Sequence, residues 1–198
     1  MSPMREWIPI STSPKGRLAL AAVKEFGTRP FDEVTVGELA AAAKVTTGAL
    51  YHHFGSKLGL YTFVRGDVER RLLDRMEGAF AASAPESEGS AAVTSALLVG
   101  LDFAVREGFL WILGKPPAAQ EHDRLAETLS GFAGPAAPVL GPILAAAWRA
   151  ALEAIAGGAE PEHARAATAA LRIHLPAGES TTRRRRTGAR RSAPAPAR

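Results

Sequence analysis

Val45-Thr46-Thr47-Gly48-Ala49-Leu50-Tyr51-His52-His53-Phe54-Gly55-Ser56-Lys57 is the stretch that decides how this chain is read. Thr46 has the chemistry of a helix N-cap, because its hydroxyl can accept a bond from an orphan amide in the first turn. Leu50 and Phe54, four apart, give the short helix behind that cap one apolar edge to bury. Around this edge stand Thr47, Ala49, Tyr51, His52 and His53, all small or able to hydrogen-bond. A further helix opens at Ser56 with Lys57 in its first turn, where a cation opposes the helix dipole and implies an anion outside the protein. A short helix with one buried edge and a polar outer face suits a DNA major groove.

The residues upstream point the same way. Thr35-Val36-Gly37-Glu38 is a capping box, with Thr35 as cap and Glu38 reaching back to the cap amide. The helix it opens carries Leu39, Ala40 and Ala43 inward, and only Lys44 and Val45 separate it from the next cap. Two short helices joined this tightly form a helix-turn-helix, whose second member reads base edges. Residues from about 13 to 64 resemble the DNA-binding region of TetR-family transcriptional regulators. The resemblance rests on Phe31-Asp32-Glu33-Val34-Thr35-Val36, on Leu39-Ala40, and above all on Val45 to Lys57 with its Leu-Tyr-His-His-Phe core. It covers about a quarter of the chain.

By that resemblance, Thr47, Ala49 and His52 face base edges, Ala49 through a thymine methyl group. Tyr51, His53 and Lys57 hold phosphates, together with Thr35 and Val36 at the start of the preceding helix, and Thr46 and Gly48 complete the DNA-facing set. The plain alternative, that Tyr51, His52 and His53 are ordinary exposed helix residues, leaves the surrounding pattern without a use. A metal site at His52-His53 is a poor reading, since adjacent helical residues point about 100° apart and no carboxylate lies nearby. Two positions depart from the family's habit. Lys44 stands where Gly is frequent, and a left-handed conformation there costs roughly 1 kcal/mol. Leu58 and Gly59 follow Lys57 where Glu is common, which predicts a weaker start to the next helix.

The 198 residues are enough for a real core in one domain or two small ones. Abundant Ala, apolar residues at helical spacing and no strand-forming runs make the chain all-α. Cys is absent, which excludes disulfides and thiolate metal sites and agrees with a reducing compartment. No apolar run reaching the ~18 residues of a membrane span is expected, and Met1 to Thr12 lacks a signal-peptide core, so a cytoplasmic protein is expected. The net charge of +4 hides an asymmetry. Residues 183–198 hold seven Arg and no acid, residues 1–60 carry +2, and residues 61–182 carry −5. A polyanion would meet the two ends rather than the body.

These signals divide the chain into an N-terminal arm (1–12), a three-helix DNA-binding domain (13–60), a helical ligand-binding and dimerisation domain (61–175) and a disordered basic tail (176–198). Ser13-Pro14 starts the first helix, Phe26 ends it, and Gly27 takes the left-handed position after it. One helix then runs from Ser56 to about Ala82, pairing Asp67 with Arg71 and Arg70 with Asp74 on a solvated face. Residues 91–106 form a helix apolar on nearly all sides, 122–132 a modest one, and 136–156 the strongest amphipathic pattern of the second half. Pro138 and Pro142 are expected to irregularise its first turns. The last helix, from Pro161 to about Leu175, carries Ala164, Ala167, Ala170 and Leu171 inward.

Phe103, Phe109, Trp111, Phe132 and Trp148 are individually core residues. Together they are candidates to line an apolar cavity, with Arg106, Gln120 or Arg149 as polar anchors. No nucleophile elbow, phosphate-binding Gly loop or metal-ligand pair supports an enzyme, and no cofactor is implied. The sequence therefore points to a homodimeric regulator of double-stranded DNA, most simply a repressor released by a small apolar or aromatic ligand. An activator, a ligand-independent regulator and a non-specific nucleoid-type protein driven by the Arg tail are the alternatives.

Overall fold

The computed structural model describes residues 12–83, 89–118 and 121–175; the expected arm up to residue 11, the basic tail and the anchor Gln120 lie outside them. The described residues form helices and one short 3-10 turn, with no strand among them. The all-α expectation stands. Helix α1 (Pro14–Thr28) starts at Ser13, whose side chain accepts from the Gly16 amide at 2.9 Å, with Pro14 in the first turn. A 3-10 turn (Phe31–Glu33) leads into α2 (Val36–Ala42), α3 (Thr47–Phe54) and the long α4 (Lys57–Ser83). Next come α5 (Gly89–Glu107), the short α6 (Leu110–Gly114), α7 (Arg124–Ala133), α8 (Leu140–Ala156) and α9 (Pro161–Ala169).

One apolar core runs through the molecule, from Leu18 and Phe26 of α1 through Val64, Leu72 and Met76 of α4 to Trp148 and Leu152 of α8. α4 packs along α5 and also meets α1, so it belongs to both ends of the protein. α5 is by length and composition long and apolar enough to cross a membrane, which corrects the expectation that no segment is. Its Val93, Leu97, Leu101 and Phe103 are buried in the core while Asp102 and Val99 are exposed, the profile of a core helix with one outer face rather than one buried all round.

Three helix ends differ from expectation, each for a physical reason. α1 continues past Phe26 to Thr28, and Gly27 is a buried helical residue. A Cβ on Gly27 would stand 2.4 Å from the Gly108 carbonyl oxygen, so the glycine permits close approach of α1 to the α5–α6 turn rather than a helix stop. α8 begins at Leu140, four residues late, with Pro142 in its first turn, where amides have no intrahelical partner to lose. α9 ends at Ala169, and Ala167, Ala170 and Leu171 are exposed rather than inward. The chain leaves the helix there to lay Ile173 and Leu175 against the core, so tertiary contact overrides Ala-rich propensity.

Buried charge collects where α4, α7 and α8 meet. Arg149 makes a bidentate pair with Asp123, at 2.7 and 2.8 Å, and Asp123 also caps α7 through the Ala126 amide. Burial alone would raise the Asp123 pKa, but the Arg149 and Ala126 hydrogen bonds outweigh it and hold the carboxyl below its ordinary value. Arg65 donates to the Lys115 and Pro116 carbonyls, fixing the segment after α6 to α4. One turn along, burial raises the pKa of Glu69, partly offset by Arg65, Arg124 and Arg149.

Candidate nucleic-acid interface

The unit that presents α3 is closed by local hydrogen bonds the sequence can specify. Thr35 accepts from the Glu38 amide at 3.2 Å, and Glu38 accepts from the Thr35 amide and hydroxyl, each at 2.7 Å. Arg29 adds a third donor to Glu38 at 3.2 Å and also holds the Glu33 carbonyl at 2.7 Å. The Thr35 hydroxyl, then its amide, then Arg29 bring the Glu38 pKa from an ordinary 4.5 down to about 2. A depressed carboxyl stabilises the fold above pH 4.5 and loses that contribution as pH falls toward 2. The stability difference between wild type and Glu38→Gln, from urea titrations, should therefore be full at neutral pH and vanish across that window. A difference that persists unchanged at pH 2 would contradict the capping role.

The turn between α2 and α3 is a Schellman closure. Val45 donates to the Ala40 carbonyl at 2.9 Å and Lys44 to the Ala41 carbonyl at 3.0 Å. Lys44 takes φ of 54°, the left-handed conformation expected of a residue standing where Gly is frequent. Arg17 of α1 clasps the same turn, its Nε donating to the Ala43 carbonyl at 2.9 Å. Nothing in the local pattern announced that contact, whose partners lie 26 residues apart.

Thr46 caps α3 by accepting from the Ala49 amide at 3.3 Å, and Gly55, with φ of 73°, ends it. Leu50 is fully buried and Phe54 packs on Phe63, so the helix is pinned by the edge the sequence offered. Opposite that edge, Thr46, Thr47, Gly48, Tyr51 and His52 are exposed, and Ala49 and His53 are half-buried. Tyr51 is 53% exposed, an unusual position for an aromatic ring without a partner to cover it. The His52 and His53 rings sit 5.0 Å apart.

Two expected features are placed differently. Lys57 does not point outward: its ammonium donates to the Phe31 and Val34 carbonyls at 3.0 and 2.9 Å and lies 4.1 Å over the Phe31 ring. It clamps the 3-10 turn to the start of α4, and two of its three donors are already used. Thr35 is similar, since its hydroxyl donates to Glu38, leaving the Val36 and Gly37 amides as free donors at the head of α2. The start of α4 is not weakened by Leu58-Gly59 either. Ser56 caps it by accepting from the Gly59 amide at 2.9 Å, and a Cβ on Gly59 would stand 2.1 Å from the Phe54 carbonyl oxygen, so only glycine lets α4 start so close to the end of α3.

A short helix whose exposed face is polar, standing on a capped partner across a tight turn, defines a helix-turn-helix DNA-binding protein. Residues 19–62 match the family model of bacterial regulatory proteins, tetR family, a match that supports a DNA-binding transcriptional regulator. The matched segment contains every element just described from the second turn of α1 to the first turns of α4.

In the body, the six expected ligand residues fall into separate packing arrangements. Phe103 and Phe109 meet edge to face at 5.5 Å, beneath the guanidinium groups of Arg71 and Arg75. Phe132 stacks on Phe80 at 4.2 Å. Trp148 is buried and its indole nitrogen donates to the Leu97 carbonyl at 3.1 Å. Trp111 is half-buried under Lys115, and Arg106 is exposed and paired with Glu107. Arg149, an expected anchor, is engaged by Asp123.

Proposed function

We propose that the protein is a dimeric repressor that reads a palindromic operator through α3 and leaves it when a small apolar or aromatic ligand enters the helical body, in the cytoplasm. The observation that carries the DNA half is the exposed Thr47-Tyr51-His52 face on a helix pinned by Leu50. Thr47, Ala49 and His52 take base edges; Tyr51 and His53 take phosphates; Thr46, Gly48 and the Val36 amide border them. His52→Ala should weaken binding to the preferred operator by about 1–3 kcal/mol and relax base choice at one position. Fluorescence anisotropy across single-base operator variants reads both effects. Equal losses on all sequences would move His52 from the base-reading to the phosphate-holding group.

Dimerisation is supported by an apolar face exposed among the described residues. Val139 is 67% and Ile143 58% exposed, and Ala146 and Ala150 continue their line along α8, while Ala167, Ala170 and Leu171 are exposed beside it on or after α9. Small side chains at helical spacing allow two copies of the pair to pack closely about a two-fold axis. A lone recognition helix contacts few bases, so pairing of half-sites about 34 Å apart is what specificity requires. Ile143→Arg should yield a monomer by sedimentation at micromolar concentration. A dimer that survives it would place the interface elsewhere.

Release by a ligand has the mechanical parts it needs. α4 runs unbroken from Lys57, beside α3, into the body, and a ligand that parts Phe103–Phe109 or Phe80–Phe132 would tilt it. Tenfold release requires a differential affinity of only ~1.4 kcal/mol between the two spacings of the reading heads.

A further inference from the structure

The turn between α2 and α3 holds a residue in an unfavourable conformation. Lys44, with φ of 54°, is the one non-glycine residue of positive φ among the described residues. A left-handed backbone crowds Cβ against the following carbonyl, so glycine is the usual occupant of such a position. Turning over the peptide between Ala43 and Lys44 would relieve the crowding, because that rotation returns φ of Lys44 to a negative value. It would also reverse the directions in which the Ala43 carbonyl and the Lys44 amide point.

Both edges of that peptide are held. On one side the Lys44 amide donates to the Ala41 carbonyl at 3.0 Å. On the other the Ala43 carbonyl accepts from Nε of Arg17 at 2.9 Å, across 26 residues of sequence. The following peptide is held as well, since the Val45 amide donates to the Ala40 carbonyl at 2.9 Å. Arg17 is itself braced. Its Nη1 donates to the Thr12 carbonyl at 2.7 Å, and the next two residues of α1, Leu18 and Ala19, are fully buried. A planar guanidinium fixed on two carbonyls has little freedom left.

We infer that Arg17 is a positioning residue for the recognition helix. By holding the Ala43 carbonyl it blocks the peptide flip that would relieve Lys44, and so it sets how the chain enters α3. Val45, which packs on the core, and Thr46, the cap of α3, follow this peptide directly. Leu50 and Phe54 pin the later part of α3, so the placement of its first turn, with Thr47 and Ala49, falls to the turn before it. In this role Arg17 touches no base and no phosphate; it acts through the backbone of residues 43–45. The step from the turn to the operator rests on the base-reading role of α3 proposed above.

Native-state hydrogen exchange of the full chain, read by NMR without DNA, tests the turn. Arg17→Met should speed exchange of the Lys44 and Val45 amides by about tenfold, the worth of a hydrogen bond from a charged donor, while amides in the middle of α1 and α3 keep their protection. Adding Lys44→Gly should slow Val45 exchange again by about fivefold, because glycine takes a positive φ without crowding. Binding to the selected operator and to a scrambled duplex tests the consequence. Arg17→Met should lose about tenfold on the operator and leave scrambled binding and the salt slope unchanged. In the Lys44→Gly background the same substitution should cost no more than about twofold.

Unchanged exchange at Lys44 and Val45, or exchange that rises equally throughout α1 to α3, would overturn the inference. So would a Lys44→Gly background that restores neither readout. Equal losses on both duplexes, with a salt slope smaller by about one, would make Arg17 a phosphate contact and overturn it too. A wild type that prefers no duplex would contradict the operator reading instead, with the exchange measurement still deciding the clasp.

Discussion

Trp148→Ala should lower the unfolding free energy by about 3–5 kcal/mol, the cost of removing a large aromatic side chain from a core. Trp148 is 1% exposed, the largest of the fully buried side chains, and it contributes by two routes. Its ring is part of the apolar core, and its indole nitrogen donates to the Leu97 carbonyl of α5 at 3.1 Å. Alanine leaves a cavity and removes a hydrogen bond between α8 and α5, and the two losses add. At roughly 2–4 °C per kcal/mol for a protein of this size, the melting temperature should fall by about 6–20 °C. Trp148→Phe separates the routes, since it keeps most of the volume and loses only the hydrogen bond, so its cost should be no more than about half. A loss under about 1 kcal/mol for Trp148→Ala would mean that the packing between α5 and α8 is not what holds the body together.

Gly27→Val is the second large effect, and it reaches function as well as stability. A Cβ at residue 27 would already stand 2.4 Å from the Gly108 carbonyl and 3.5 Å from the Phe109 ring, before the two methyl groups of valine are added. Both partners are rigid, one a backbone carbonyl in a turn at φ of 73° and the other a buried ring, so α1 has to move away. Overpacking of this kind costs about 1–3 kcal/mol. α1 carries the Arg17 clasp on the α2–α3 turn and touches both α4 and α6, so the shift is passed to the reading helix. Operator affinity should fall although residue 27 lies far along α1 from the Arg17 clasp. Gly27→Ala should give the same sign with a smaller size. Unchanged stability in both variants would show that the α1 contact to the α5–α6 turn is slack.

The comparison of these two sites also explains what the sequence could reveal. The capping box at Thr35 and Glu38, the Thr46 cap, the left-handed Lys44 and the Leu50 edge are all local, with partners within four residues, so residue order specifies them. Gly27 read as a helix stop because a glycine after an apolar run often is one; its true reason is a carbonyl 81 positions later. Lys57 read as an outward cation for the same kind of reason, while the carbonyls it holds lie 26 and 23 residues back. Arg17 and Arg29, which lock the two turns, gave no signal at all. In the body, five aromatics in a small domain suggested a lining, yet pairs such as Phe80 with Phe132 are made between helices whose relative placement no spacing rule gives. The end of α9 at Ala169 was invisible because it is set by where Ile173 and Leu175 find the core.

The central claim is that α3 reads one palindromic sequence and that the protein binds it as a two-fold pair. Its most direct measurement is selection of bound fragments from genomic DNA, followed by a footprint on the recovered site at physiological salt. The account predicts protection of a single palindrome with half-sites one helical turn or a multiple apart, lost in His52→Ala. Even protection along every fragment, unchanged in His52→Ala, would contradict it.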